Sequence, residues 1–303
     1  MIGLVMNDLE KAIVNSMLGF GDTFRANFGA FTRVEDKVGN QDPNDVVTST
    51  DRESQEAILQ AIFKVNPNMA ISVEECLNKP TEVQAALYAN DGTSNELVGI
   101  DGVDGTYAFG HGIRDDSGII ANEMRRDPND RNSGRFAFAA FYYPKLRQLI
   151  IANENLVYAI REDDLAVKFK LKVLPSRNKS KVYSAARIMH DREREILRET
   201  GIRDEQFVPD IYSYTQLLQG LINGDVNGCI LPRAHVYDGS AVAWTAQKLG
   251  FDVEYSDGRP FGLLPFGDRI VDGKRVWPYD ENGLLIIGRK NDGMFSKYQK
   301  KAA

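Results

Sequence analysis

Twice in the first third of the chain a short apolar run ends on acid. Met69–Val73 leads straight into Glu74 and Glu75, and Leu97–Ile100 leads into Asp101 within GIDGVDGTYAFGHG. Such runs, bounded by polar residues, read as short buried strands. Both therefore deliver carboxylates at their C-terminal ends, the sheet edge at which ligand sites form. Whatever the chain folds into must bring that edge together.

The 303 residues are enough for one large domain or two closely packed ones. A change of rhythm near residue 180 sets the boundary between an α+β half, 1–180, and an α/β half, 181–303. With 43% hydrophobic and 26% charged residues the composition is that of a globular protein. A net charge of −6 is a poor footprint for polyanions, which argues against nucleic-acid polymers and anionic membranes as partners. Cys76 and Cys229 are too few for a disulfide framework, and no stretch of roughly 18 apolar residues occurs. The expected location is the cytoplasm.

Leu9, Ile13, Met17, Phe20, Phe24 and Phe28 form one stripe of a long helix opened by an Asn7/Glu10 capping box. Residues 32–44, with Gly39 and Pro43, read as an exposed, mobile loop. A second helix begins near Thr50 or Asp51, turns Ile58, Ile62 and Val65 inward and stops before Pro67. Residues 135–160 read as an antiparallel meander with turns at Pro144–Lys145 and Asn153–Asn155, and 124–134 as a solvated loop. From residue 181 strands and helices alternate: KVYSA, IMHDREREILRETG, a helix with Leu217, Leu218 and Leu221, VNGCIL, a helix opened by Asp238, then FDVEY and LLIIG.

The candidate site is the set Asp51, Glu74, Asp101, Asp104 and Asp238, each of which follows an apolar strand or opens a helix. If they converge, so many carboxylates cannot stay ionised together without cations. Oxygen ligands with no Cys or His beside them select Mg²⁺ or Mn²⁺. In DGVDGT, Gly102 and Gly105 permit backbone conformations closed to other residues, and Thr106 offers a hydroxyl. A helix starting at Gly105 would turn free N–H groups toward a phosphate oxygen. Those features combine as a metal-assisted phosphatase.

Here the sequence resembles the inositol monophosphatase-like superfamily of Mg²⁺-dependent, lithium-sensitive phosphatases, which includes bisphosphate nucleotidases and fructose-1,6-bisphosphatases. DVVTSTD, VEE, IDGVDGT and YDGSA stand in the order of the family's D-[LV]-V-T-x-x-D, G-E-E, I-D-P-[IL]-D-G-T and W-D-x-A-[AG] blocks. The resemblance implies a layered αβαβα sandwich of the sugar-phosphatase type and two or three Mg²⁺ ions per site. It also implies that Glu74, Asp101 and the Val103 carbonyl hold one metal, and that Asp101, Asp104 and Asp238 hold a second. Asp51 and Thr106 then help activate water, together with Glu74, while the Gly105 and Thr106 amides bind phosphate. The partner is a small phosphorylated metabolite, and a homodimer is compatible with the superfamily's habits.

The chain departs from the blocks at Val73, Gly102 and Tyr237, none of which supplies a ligand side chain. On the substrate side, Tyr212, Ser213 and Tyr214 stand where the family has a small G-[ST]-[AG] stretch. Leu231 falls where the inositol phosphatases carry an acid. These changes favour a nucleotide or sugar phosphate over inositol 1-phosphate. His111, just past the phosphate block, is a further substrate-side candidate, and Arg125, Arg126, Arg131 and Arg135 are available to a second anionic group. The alternatives are a 3′(2′),5′-bisphosphate nucleotidase, a fructose-1,6-bisphosphatase-like enzyme and, of another class, a non-catalytic regulator that binds a phosphate ligand.

Overall fold

The Asn7 side chain accepts the Glu10 N–H at 2.8 Å while Glu10 accepts the Asn7 N–H at 2.9 Å, the reciprocal cap that starts helix α1 (Asp8–Gly19). The computed structural model describes residues 6–30, 33–36, 46–75, 81–88, 93–178, 181–184, 195, 206, 208, 213–231, 234–266, 269–271, 274–276 and 284–290. The stripe expected to make one long helix makes two, because the chain breaks at Phe20 and restarts as α2 (Gly21–Asn27). Gly21 packs against Tyr142, whose hydroxyl would lie 2.1 Å from a Cβ there, so the break seats the second segment on the sheet.

Residues 33–36 are not loop: they form β1 (Arg33–Asp36), antiparallel to β2 (Val46–Thr48). The rest of the expected mobile loop, 37–44, lies outside the described residues, as do Cys76 and His190. Helix α3 (Ser49–Val65) is capped by Thr48; Ile58 and Ile62 are fully buried, but Val65 is 42% exposed at the fraying last turn. Cys229 is a buried free thiol, held well above its ordinary range by burial.

The central element is an eight-stranded sheet. Its order is β3 (Ala70–Val73), β4 (Glu96–Asp104), β5 (Gly118–Asp127), β6 (Asp130–Tyr143), β7 (Gln148–Asn153), β8 (Val157–Arg161) and β9 (Asp164–Lys170), with the short β13 (Leu264–Pro265) on β6. Only β3 and β4 run parallel, joined through α4 (Glu82–Tyr88); the other pairs are antiparallel. Residues 124–134, expected as a loop, extend β5 and β6 into a hairpin whose ladder continues past two register shifts, with Asp127 and Ser133 buried and most of the other polar residues exposed.

Both faces of the sheet are covered, which is why RFAFAAFYY reads as a continuous apolar run rather than an alternation. One face takes Ile13, Met17, Phe24, Ile58 and Ile62 of the N-terminal helices. The other takes α6 (Tyr214–Asn223) and α7 (Gly239–Lys248), which pack in turn on a four-stranded sheet. That sheet has the order β10 (Val182–Ser184), β11 (Gly228–Leu231), β16 (Leu285–Arg289), β12 (Phe251–Tyr255). The pair β14 (Arg269–Val271) and β15 (Lys274–Val276) forms a hairpin. A layered α+β architecture is thus borne out; of the helix expected over 188–201, only Glu195 is among the described residues. No helix of the described residues is long and apolar enough to cross a membrane.

Candidate active site

Parallel pairing of β3 and β4 sets Val73 beside Ile100, and the Glu74 N–H continues the ladder to the Ile100 carbonyl at 3.0 Å. Glu74 therefore leaves the sheet next to Asp101, and the two carboxyl groups share a hydrogen bond. The β4–β5 ladder is irregular between Asp101 and Asp104, and this irregularity delivers Asp104 to the same edge. Gly105 then turns the chain with φ at 84°, a conformation that suits glycine, into the one-turn helix α5 (Thr106–Gly110).

Asp51 arrives from the first turn of α3. Its Oδ2 accepts the Thr48 N–H at 2.8 Å and the Thr48 hydroxyl. Its Oδ1 lies 2.8 Å from the Thr106 hydroxyl, which also faces the Val103 carbonyl at 2.9 Å and donates its one proton to either. Asp104 crosses to the C-terminal part of the chain, where its oxygens accept the N–H groups of Tyr214, at 2.9 Å, and Thr215 at the start of α6. Asp238 caps α7, accepting the N–H of Gly239 and the main-chain N–H of His235. Its segment is held on the sheet by Asn122, whose Nδ2 donates to the Val236 carbonyl at 2.9 Å. A Cβ on Gly99 would come within 2.9 Å of Tyr237 Cα, so β4 and this segment touch through backbone.

The electrostatics show that these acids are mutual neighbours. Burial, then the charges of Glu74, Asp104 and Asp238, push the Asp101 carboxyl well above the carboxylate range. Asp104 is raised to about 6 by burial against the pull of the Thr215 and Tyr214 donors, and Asp238 is raised by burial and by Glu74 and Asp104. Asp51 is raised to about 6, burial outweighing Thr48 and Thr106. No Lys or Arg is among the principal influences on any of them.

Among the described residues no three Asp, Glu, His or Cys side chains close around one point as a finished cation cage. The reason is visible in the hydrogen bonds: Asp51, Asp104 and Asp238 turn oxygens to neighbouring donors. The donor set nevertheless fits a hard divalent cation, because it is all oxygen, carries excess negative charge, and leaves the buried Asp101 Oδ1 with no hydrogen-bond partner.

The substrate-side candidates divide. Ser213 is spent as the cap of α6, accepting the Gln216 N–H at 3.0 Å. Tyr214 is partly exposed, with its ring against Gly239 Cα. His111 is exposed at the end of α5, its Nδ1 2.8 Å from the Tyr107 carbonyl and its ring over that of Tyr107. Leu231 corrects the expectation: it pairs with Leu285 inside the second core and is fully buried, so it offers no surface to a leaving group. Tyr212 lies outside the described residues.

The arginines are also corrected. Arg125 pairs with Glu96 at the start of β4, five residues or ~17 Å of strand from Asp101. It holds Glu123 at 3.0 Å; Arg126 donates to the Ser94 and Arg131 carbonyls and covers Phe266; Arg135 faces Asp127 at 3.7 Å. They belong to the far end of the hairpin. His235 supports Asp238 through its main chain, while its ring stacks on Tyr237 with centroids 4.9 Å apart.

Thr48, Asn122 and the Tyr214–Thr215 amides hold the acids in place, and none stands out in the sequence by chemistry alone. The one available signal was Asn122, a polar side chain inside the apolar strand GIIANEM.

Residues 6–121 match the model of the inositol monophosphatase family. No curated protein matches the chain in sequence. Solved structures match along nearly the whole length. An IMPase of Thermotoga maritima is 17% identical with a TM-score of 0.64, covering 97% of this chain and 98% of its own. A staphylococcal inositol monophosphatase-1, solved as a LiCl-soaked inhibitory complex, is 15% identical with a TM-score of 0.65, covering 97% and 96%. An IMPase/NADP phosphatase complexed with Mg²⁺ and phosphate is 15% identical with a TM-score of 0.63, covering 95% and 94%. The chain thus matches the inositol monophosphatase family model over its N-terminal part and shares the fold of solved inositol monophosphatases along nearly its whole length.

Proposed function

We propose that the chain is a phosphatase dependent on Mg²⁺, with Mn²⁺ as a substitute, that hydrolyses a small phosphomonoester by activating water. The observation that carries this reading is the convergence of Glu74, Asp101, Asp104 and Asp238 from three segments, with no basic side chain among the principal influences on the three aspartates and an unpartnered Asp101 oxygen. Cations bound there supply charge stabilisation and activation of water. Glu74, Asp101 and the Val103 carbonyl would hold one; Asp101, Asp104 and Asp238 would hold another.

The chain's own residues handle the proton. Thr106 stands between Asp51 Oδ1 and the Val103 carbonyl, so its hydroxyl passes a proton to Asp51 when it turns toward water. Asp51, with its pKa near 6, accepts one at neutral pH, and Thr48 fixes the direction in which it does so. The Gly105 and Thr106 N–H groups receive the phosphate. The structure of an IMPase/NADP phosphatase with Mg²⁺ and phosphate supports the cation, and the LiCl complex of the staphylococcal protein supports inhibition by lithium.

For the leaving group we favour a nucleotide or sugar phosphate over inositol 1-phosphate. Tyr214 and His235, both partly exposed, offer flat rings beside Asp104 and Asp238, which suits an aromatic group better than a polyol. A 3′(2′),5′-bisphosphate nucleotidase and a fructose-1,6-bisphosphatase-like enzyme are the alternatives, and both share this metal chemistry. The test is kcat/KM for phosphate release with Mg²⁺ from inositol 1-phosphate, adenosine 3′,5′-bisphosphate, fructose 1,6-bisphosphate and 5′-nucleotides. Undiminished hydrolysis in excess chelator overturns the metal mechanism; inositol 1-phosphate leading the panel overturns the substrate preference. Binding of phosphate esters without turnover would make the chain a regulator instead.

A further inference from the structure

Beyond Val73 strand β3 parts from its neighbour. Its pairing with β4 ends at Val73–Ile100, the Glu74 N–H adds one bond to the Ile100 carbonyl, and β4 then becomes irregular between Asp101 and Asp104. Glu75 is nevertheless buried, and buried main-chain N–H and C=O groups need partners. Side chains supply them. Gln55 of α3 accepts the Glu75 N–H on Oε1 at 3.0 Å and donates from Nε2 to the Glu75 carbonyl at 2.9 Å, while Gln84 of α4 donates to the same carbonyl at 3.3 Å. The Gln55 carboxamide thus makes the two bonds that one residue of an adjacent antiparallel strand would make.

Gln55 is itself only 2% exposed, on a helix whose neighbouring buried residues Ile58, Leu59 and Ile62 are apolar. Burying a carboxamide there is unfavourable unless it is hydrogen-bonded, so its presence is explained by what it holds. Among side chains of that reach glutamine alone presents a donor and an acceptor in one plane: Lys and Arg only donate, and an ionised Glu only accepts. Gln55 also stands four residues after Asp51, on the same face of α3. One helix therefore carries the proposed proton acceptor and grips the residue next to Glu74. We propose that Gln55 is a positioning residue for Glu74: by clasping the Glu75 main chain it fixes the direction in which Glu74 enters the acid edge and keeps it in register with Asp51. This inference rests on the reading of Glu74 as a cation ligand and adds to it the residue that aims that ligand.

The test uses the full chain and three measurements: Mn²⁺ binding by electron paramagnetic resonance, thermal melts, and amide exchange over residues 70–75 of the metal-free protein. Gln55→Met keeps the volume and loses both bonds. It is expected to speed exchange over 70–75 and to weaken Mn²⁺ binding by roughly 10- to 100-fold, the loss common when an outer partner of a metal ligand is removed. Ile58→Val, fully buried on the same helix, is the control for stability alone, and is expected to lower Tm while leaving Mn²⁺ affinity as it is. Gln55→Met with unaltered Mn²⁺ affinity, with unaltered exchange, or with a loss of affinity that Ile58→Val matches overturns the positioning role and leaves the metal reading standing. An unaltered chain that binds no Mn²⁺ overturns the metal reading itself, and the role with it.

Discussion

The backbone of Asp51 lies directly against Gly102: a Cβ on Gly102 would meet the Asp51 carbonyl oxygen at 2.2 Å. The first turn of α3 therefore rests on the irregular stretch of β4, and glycine is what lets them touch. Gly102→Ala is expected to push α3 away from β4, costing about 1–3 kcal/mol as overpacking commonly does. It is also expected to separate Asp51 from Thr106, so activity falls further than stability does. Thermal melts and kcat on the same sample check this. An alanine variant with unaltered activity would mean that the contact is looser than it stands here.

Within the acid cluster the variants should rank. Asp101→Asn removes the carboxylate proposed to bridge two cations and is expected to lower activity beyond the roughly 10- to 100-fold typical of losing an outer partner of a metal ligand. Thr106→Ala removes the proton carrier and is expected to lower kcat by about a hundredfold or more with little change in KM. Glu74→Gln should be severe. Glu75→Gln should be mild, since it leaves in place the backbone of Glu75, which Gln55 clasps at 2.9 and 3.0 Å. The reverse order for Glu74 and Glu75 would shift the ligand by one position.

Acidity should set the response to Mg²⁺. Asp51 and Asp104 have pKa values of about 6 in the fold against 3.8 when exposed, so between those values the metal-free fold binds protons that the unfolded chain has released. Their contribution to stability accordingly falls as pH rises through that window and is smallest above it. Mg²⁺ competes with the same protons. Its increment in Tm is expected to be large at neutral pH and to shrink below about pH 5, with proton release on binding. Melts with and without Mg²⁺ decide it; an equal increment at both pH values contradicts the competition.

A second buried acid is independent of the site. Glu123 is 1% exposed and holds Arg125 at 3.0 Å through one oxygen, while its Oε2 has no hydrogen-bond partner. Burial raises its pKa above 4.5 against the pull of Arg125, so ionised Glu123 weakens the fold as pH rises above that value. Glu123→Gln is expected to raise Tm at neutral pH and to lose that advantage near pH 4. A lower Tm at neutral pH would show that the Arg125 pair outweighs the burial.

Most of this could be read from the sequence where local chemistry decides. The Asn7/Glu10 cap, the start of α3, expected near Thr50 or Asp51 and found at Ser49 behind a Thr48 cap, and the strands that lead into Glu74 and Asp101 rest on residues close together in the chain. What escaped depended on distant partners. Phe20 looked helical until Gly21 met Tyr142, and the polar residues 124–134 looked like loop because the β5–β6 pairing that extends them is tertiary. Leu231 sat at the right place in an alignment, but whether it faces a cleft or a core depends on its pairing with Leu285.

Asp104 and the Tyr214 N–H are 110 positions apart in the chain, yet that bond helps to fix where the carboxylate points. Growing from the ribosome, the polypeptide completes seven of the eight strands of the sheet and most of the acids well before the segment that orients Asp104, or Asp238 itself, has been made. Cation affinity should therefore arise late, as a property of the finished chain. Loops that distant close slowly, which makes metal binding a sensitive report of the last step of folding rather than of the first.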